Sequence, residues 1–289
     1  ARRGSFEFEP TTLVSRNLSG SQRARRTDAV ETTMDCRVHP ETYALDDRAS
    51  LISGMLDTTR GGAGVEFHST REYHSTAPAN RIDWRRLARS GDLTTVTYRE
   101  SKAATVQLVV DRSPGTDVSY AADGLTHAEY ATYAAEMVAE MLLGAHHRVG
   151  LTTLGDARDV IRPSTGDEHR LSLRRLFESL DGAGTHRPDP TATADELADV
   201  TPNHTQFTLI SPVVDDEFVE LATRLRAHGK RVVVLSPRQP RAETDGQRIL
   251  LADRALRIDD LRRNGVTVFD WDTTEPLRTA LEHRFGGAV

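Results

Sequence analysis

Three features of the sequence predict an α/β fold, a mainly parallel sheet with helices on both faces. Short strand-like runs recur from residue 105 onward as TVQLVV, QFTLIS, RVVVLS and VTVFDW. Segments with helical periodicity separate them. The runs are continuously apolar rather than alternating, which is the pattern of strands buried on both sides.

Residues 105–110 form the first such strand, and residues 128–143 follow as a helix. Its inner face carries Ala131, Ala134, Ala135, Val138, Met141 and Leu142, its outer face Glu129, Glu136 and Glu140. Residues 148–156 return as a strand, and residues 168–180 give a second helix through Leu173, Leu176, Phe177 and Leu180. Between them, His146 and His147 close the first helix, where a cation suits the dipole. Residues 181–204 are rich in Gly, Pro and Asp and read as a loop holding at most one helical turn. After the strand at 206–211, residues 216–228 place acids in the first helical turn, Arg224 and Arg226 in the last, and Gly229 as terminator. A strand at 231–236, a helix at 252–264 stopped by Gly265, a strand at 266–271 and a helix at 276–285 complete the domain.

The chain divides into residues 1–50, 51–104 and 105–289. In the first part, alternation at 5–9 and 33–38 argues for strands of a small, incomplete β module, with the arginine-rich 15–28 as a turn or loop. A start without Met inside β structure implies a piece of a longer protein. Gly61-Gly62-Ala63-Gly64 lacks the Lys-Ser/Thr of a phosphate-binding loop and reads as a flexible approach to the next segment.

Bulk properties narrow the function classes. A net charge of -6 and a pI near 6.0 give no general attraction to nucleic acid, so none is expected as a partner. Cys36 is the single cysteine, which excludes an intrachain disulfide. No window approaches the roughly 20 apolar residues of a membrane-spanning helix.

The most distinctive stretch lies at 66–100. Within it RIDWRRLARSG, residues 81–91, sets Trp84 among four arginines and Asp83. Two readings stand. In one, Arg71, Arg81 and Arg89 pair with Glu66, Glu72, Asp83 or Glu100 while Trp84 fills a pocket beside Ile82 and Leu87. In the other, the block is a partner-binding surface.

Glu66-Phe67, Arg71-Glu72-Tyr73, Arg81-Ile82-Asp83-Trp84, Ala88-Arg89, Gly91-x-Leu93 and then an Asp-x-Ser after a strand together resemble the large prokaryotic family catalogued as domain of unknown function fifty-eight. The resemblance covers residues 50–289 and implies a von Willebrand factor A-like domain. It further implies an adaptor or assembly factor working with a MoxR-type AAA+ ATPase, cytoplasmic and tethered by membrane helices upstream. One departure stands out: where the family reads Tyr-Arg-Pro-Gly-Asp, this chain has Tyr73-His74-Ser75-Thr76-Ala77.

The family fold also implies where a metal would sit. Von Willebrand A-like domains hold a divalent cation on an Asp-x-Ser-x-Ser motif plus oxygens from later loops. Here the motif is Asp111-Arg112-Ser113-Pro114-Gly115, and Ser211-Pro212 stands where the family has Ser-Asp. Two oxygens are lost. Either a partner's carboxylate completes a Mg²⁺ site, or the site is a remnant with Asp111 capping local backbone; no cofactor is expected. VFDWDTT at 268–274 mimics the nucleophile motif of aspartyl-phosphate phosphatases, with Asp270 as nucleophile and Asp272 as acid. That motif belongs on a first strand, so Asp272 or Thr273 is expected to cap the last helix instead. The favoured reading is a non-enzymatic adaptor; the alternative is a Mg-dependent or aspartyl-phosphate phosphatase.

Overall fold

The computed structural model describes residues 4–7, 11–28, 33–36, 66–72, 89, 94–99, 103–119, 124–156, 160–180, 182–239 and 244–285. In the N-terminal third, β1 (Gly4–Glu7) pairs antiparallel with β4 (Thr33–Cys36), and β2 (Thr11–Arg16) with β3 (Arg23–Asp28). The expected loop at 15–28 is therefore mostly a hairpin. Only residues 17–22 turn, closed by Asn17 N–H on the Gln22 carbonyl at 3.2 Å with Gly20 at φ +69°. A two-stranded ribbon leaves both faces in water, so arginines at 23, 25 and 26 are tolerated on a strand. A further antiparallel pair joins β5 (Glu66–Glu72) to β6 (Thr94–Arg99).

The main domain is one six-stranded sheet. Its strands are β7 (Thr105–Asp111), β8 (Arg148–Leu154), β9 (Val160–Ser164), β10 (Gln206–Ile210), β11 (Arg231–Arg238) and β12 (Thr267–Asp272), in the order β12-β11-β10-β7-β8-β9. All neighbours run parallel except β8 and β9. The strand β9 has no sequence signature, because VIRPS is short, half exposed and contains Pro163, a residue that suits an edge strand.

Among the described residues, six helices cover the sheet: α1 (His127–Gly144), α2 (Asp167–Ser179), α3 (Pro190–Val200), α4 (Asp216–Ala227), α5 (Asp245–Arg263) and α6 (Leu277–Phe285). The strand side chains divide between two cores. Val106, Leu108 and Val110 of β7 join Trp271 and the inner faces of α1, α2 and α6. Val109, Phe207, Leu209 and Val234 join α3, α4 and α5 on the opposite face. The α/β architecture expected from the sequence, a mainly parallel sheet with helices on both faces, is the one observed.

Two helices differ from expectation. The stretch read as a loop at 181–204 contains α3, started by Asp189, which accepts from Thr191 N and Ala192 N, with Pro190 in the first turn. Its Ala194 and Leu197 are buried, and that packing supplies the stability its polar composition conceals. Helix α5 begins at Asp245 rather than 252, because Thr244 and Gln247 form a capping box. Its first turns leave Ile249 and Leu250 exposed, so their apolar character does not register as a core face. His147 also departs from the cation expected at the end of α1. It is buried, accepts from Ala104 N at 3.0 Å, and burial pushes its pKa down.

Candidate functional site

The carboxyl ends of β7, β8, β10, β11 and β12 meet along one edge, the place where open parallel sheets bind ligands. At its centre Asp111 ends β7, almost wholly buried. Its Oδ1 accepts from Ser113 N at 3.0 Å and Ser113 Oγ at 2.7 Å; its Oδ2 accepts from Ser211 Oγ at 2.6 Å. Ser211 Oγ in turn accepts from Val213 N at 2.9 Å. The residue thus ties the loop after β7 to the loop after β10. Burial raises its pKa against the pull of these three donors.

Gly115, in the single turn Pro114–Thr116, occupies the third motif position. A Cβ there would lie 3.3 Å from Val214 Cγ2 and 3.8 Å from Asp215 Oδ2. Asp215 and Asp216 stand at the start of α4. Asp215 is its N-cap, accepting from Phe218 N at 3.0 Å, and its carboxyl is pushed up to about 6 by burial and then by the charge of Asp111.

Asp111, Ser113 and Asp215 share a cavity of about 20 Å³, room for one small species, but Arg187 lines it too. Both Asp111 oxygens already accept hydrogen bonds, and one Asp215 oxygen caps a helix. Among the described residues, no group of three or more His, Cys, Asp or Glu side chains is arranged to hold a metal. The arrangement is a poor fit to a hard dication that needs near-octahedral oxygens.

Two arginines, neither of them a residue that the motifs mark for chemistry, organise this edge. Arg112 is buried; its Nε and Nη2 donate to the Gly182 carbonyl at 2.9 and 2.7 Å, and its Nη1 pairs with Asp156 at 2.5 Å. On α5, buried Arg254 donates to the Pro212 carbonyl at 2.9 Å, Ser236 Oγ at 2.7 Å and Asp270 Oδ1 at 2.6 Å, linking the ends of β10, β11 and β12. The signal for Arg254 was its spacing: it shares one helical face with Ile258 and Leu261.

Asp270 and Asp272 do lie at the end of β12, both against guanidinium groups. Arg238 Nη2 meets Asp272 at 3.0 Å, and its Nε lies 3.7 Å from Asp270 Oδ2. Asp272 does not cap α6. Its Oδ1 accepts from Thr274 N and Oγ1 at 3.0 and 2.6 Å, a local turn that ends before the helix starts at Leu277. Thr273 donates from its N–H to the Arg238 carbonyl at 3.1 Å and caps nothing either.

Of the signature residues, Arg71 and Glu72 lie on β5 in register with Thr95 and Thr94. Arg89 is helical and exposed. Tyr73, Arg81, Asp83 and Trp84 lie outside the described residues, as do the ion pairs and pocket expected of the block.

No curated protein matches the sequence. Among solved structures, a conserved hypothetical protein BatB from Bacteroides thetaiotaomicron is similar over 63% of this chain and 97% of its own, at 13% identity and a TM-score of 0.39. The SpRpn10 VWA domain is similar over 65% and 99%, at 15% identity and 0.38. An uncharacterized membrane spanning protein from Vibrio fischeri is similar over 62% and 95%, at 16% identity and 0.23. The family profile described as "Protein of unknown function DUF58" matches residues 69–253, from within β5 into α5, so more than half of the chain carries it and the chain belongs to that family.

Proposed function

We propose that this chain is a non-enzymatic protein-interaction scaffold. The supporting observation is the state of the sheet edge, where Asp111, Asp156, Asp270 and Asp272 are each engaged with hydroxyls or guanidinium groups that join loops. Side chains so engaged brace a surface; a nucleophile or general acid needs a carboxyl facing its substrate. The family resemblance supplies the finer reading, in which a MoxR-type AAA+ ATPase is the partner, the task is assembly or maturation of other proteins, and helices beyond this chain tether it to the membrane. Among the described residues no helix is long and apolar enough to cross a membrane.

No resident metal is part of this reading. Millimolar Mg²⁺ or Mn²⁺ is expected to move the thermal midpoint by less than about 1 °C, since only a ligand well above its dissociation constant stabilises appreciably. A larger rise that vanishes in Asp111→Ala would make a metal-bridged partner the better mechanism.

The scaffold reading is tested by crosslinking the native protein to the MoxR-type ATPase of the same cell, beside a phosphatase assay with Mg²⁺ on wild type and Asp270→Asn. Specific crosslinking without turnover is expected. Robust turnover lost in Asp270→Asn would replace the scaffold by the phosphatase.

A further inference from the structure

In a chain whose net charge is -6, the hairpin of β2 and β3 is locally cationic: residues 11–28 hold four arginines and a single acid, Asp28. The register gathers three of the four. Val14 lies opposite Arg25, and Arg16 lies opposite Arg23. Alternation along each strand puts these four side chains on one face, continued by Thr12 and Thr27, whose hydroxyls lie 3.4 Å apart. All of them are exposed, and among the described residues Arg16, Arg23 and Arg25 have no ion-pair partner. Like charges directly opposite on a ribbon weaken its pairing. The face thus carries an uncompensated cationic row, while Asp28 stands at the far end of the ribbon, opposite Thr11.

At the near end the turn is closed on itself. Asn17 Nδ2 donates to Ser21 Oγ at 3.0 Å, Gln22 N donates to Asn17 Oδ1 at 3.2 Å, and the Ser19 and Ser21 hydroxyls lie 2.9 Å apart. Leu18, the apolar side chain of this turn, stands wholly in water. It comes two residues after Arg16, so an aliphatic point tops the row of guanidinium groups.

Of the polyanions that match such a row, the tip selects one. Single-stranded nucleic acid stacks its bases on aromatic rings, and residues 11–28 contain none. An acidic protein surface needs a shaped pocket to receive an aliphatic anchor. A bilayer offers phosphates to the arginines and, beneath them, a fluid apolar layer that takes a projecting side chain without a matching pocket.

We propose that the β2–β3 hairpin docks on an anionic phospholipid surface, with Arg16, Arg23 and Arg25 on headgroup phosphates and Leu18 entering the boundary of the acyl layer. Guanidinium forks bind phosphate oxygens bidentately, and the internally paired polar groups of the turn lower the cost of leaving water. This lipid contact goes beyond the scaffold reading and does not depend on it.

The test is cosedimentation of the whole chain with vesicles of phosphatidylcholine alone and of its equal mixture with phosphatidylglycerol, at low and at physiological salt. Binding to the mixed vesicles only is expected, weakened by salt. Each arginine near such a surface contributes about fivefold, so Arg16→Gln, Arg23→Gln and Arg25→Gln combined should weaken binding by about 100-fold. Leu18→Ser should weaken it by about fivefold. Thermal midpoints should not change, since all four side chains are exposed. No binding to the mixed vesicles, equal binding to phosphatidylcholine alone, or binding indifferent to either set of substitutions would overturn the proposal. So would retention of the chain on polyuridylate or polyglutamate, lost in the triple variant, when the vesicles bind nothing; the face would then be a nucleic-acid or acidic-protein contact.

Discussion

Replacement of Gly155 by alanine is expected to destabilise the main domain by roughly 3 kcal/mol or more. Gly155 has φ +106°, outside the range that side-chain-bearing residues adopt. A Cβ there would lie 2.2 Å from the Arg112 carbonyl oxygen, 2.5 Å from its carbon and 2.8 Å from Ser113 N, so only backbone stands in the way and no side chain can yield. The loop before α3 closes over the same spot. Gly184 N donates to the Arg112 carbonyl at 2.6 Å and His186 N to the Gly155 carbonyl at 2.8 Å. Three loops meet backbone to backbone, and Arg112 bolts them from the side. Gly166 separates the causes: its φ is +100°, but nothing lies within 4 Å of its would-be Cβ. Gly166→Ala is expected to lose only about 1 kcal/mol from strain. Urea unfolding of both variants checks this, and equal losses would show that close approach contributes nothing.

The contrast between Gly155 and Asp111 marks what a sequence displays. The parallel strands of the main sheet were legible because burial on both faces forces a continuous apolar run, a local property, whereas the half-exposed edge strand β9 has no such run. Asp111 and Ser113 were legible because a short motif follows such a strand. Helix α3 had a local signal that its Pro and Asp content masked: Asp189-Pro190 is an N-cap followed by a first-turn proline, and Ala194 with Leu197 supplies a buried face. Gly155 meeting Arg112 and Gly184 was not legible, since a contact between three separate loops leaves no periodicity. The signature block gave the family without giving a site, because its recognisable residues are an Arg/Trp cluster compatible with either packing or recognition.

Asp111→Ala is expected to cost about 2 to 4 kcal/mol, since Ser113 Oγ, Ser113 N and Ser211 Oγ would be left buried around a small void. Asp111→Asn keeps an acceptor carbonyl and should lose much less. The charge makes a separate, pH-dependent contribution whose sign is opposite to that of a salt-bridged carboxylate. Burial raises the folded pKa of Asp111 above 3.8, and that of Asp215 is pushed up to about 6. Over the window that opens near 3.8, the folded chain holds protons that the unfolded chain has released, so these groups make stability fall as pH rises, until the folded pKa is passed. For Asp215 the window runs from about 4 to about 6. Asn is as good an N-cap as Asp, so Asp215→Asn retains the start of α4 while removing the titration. Unfolding midpoints measured from pH 4 to pH 7 should therefore show the variant gaining on wild type through that window and running parallel to it above. Curves that stay parallel throughout would mean Asp215 is solvated like a surface carboxyl. Because the charge of Asp111 is the second cause holding the Asp215 pKa up, Asp111→Asn should also lower it, which a carboxyl-carbon NMR titration of Asp215 reads directly.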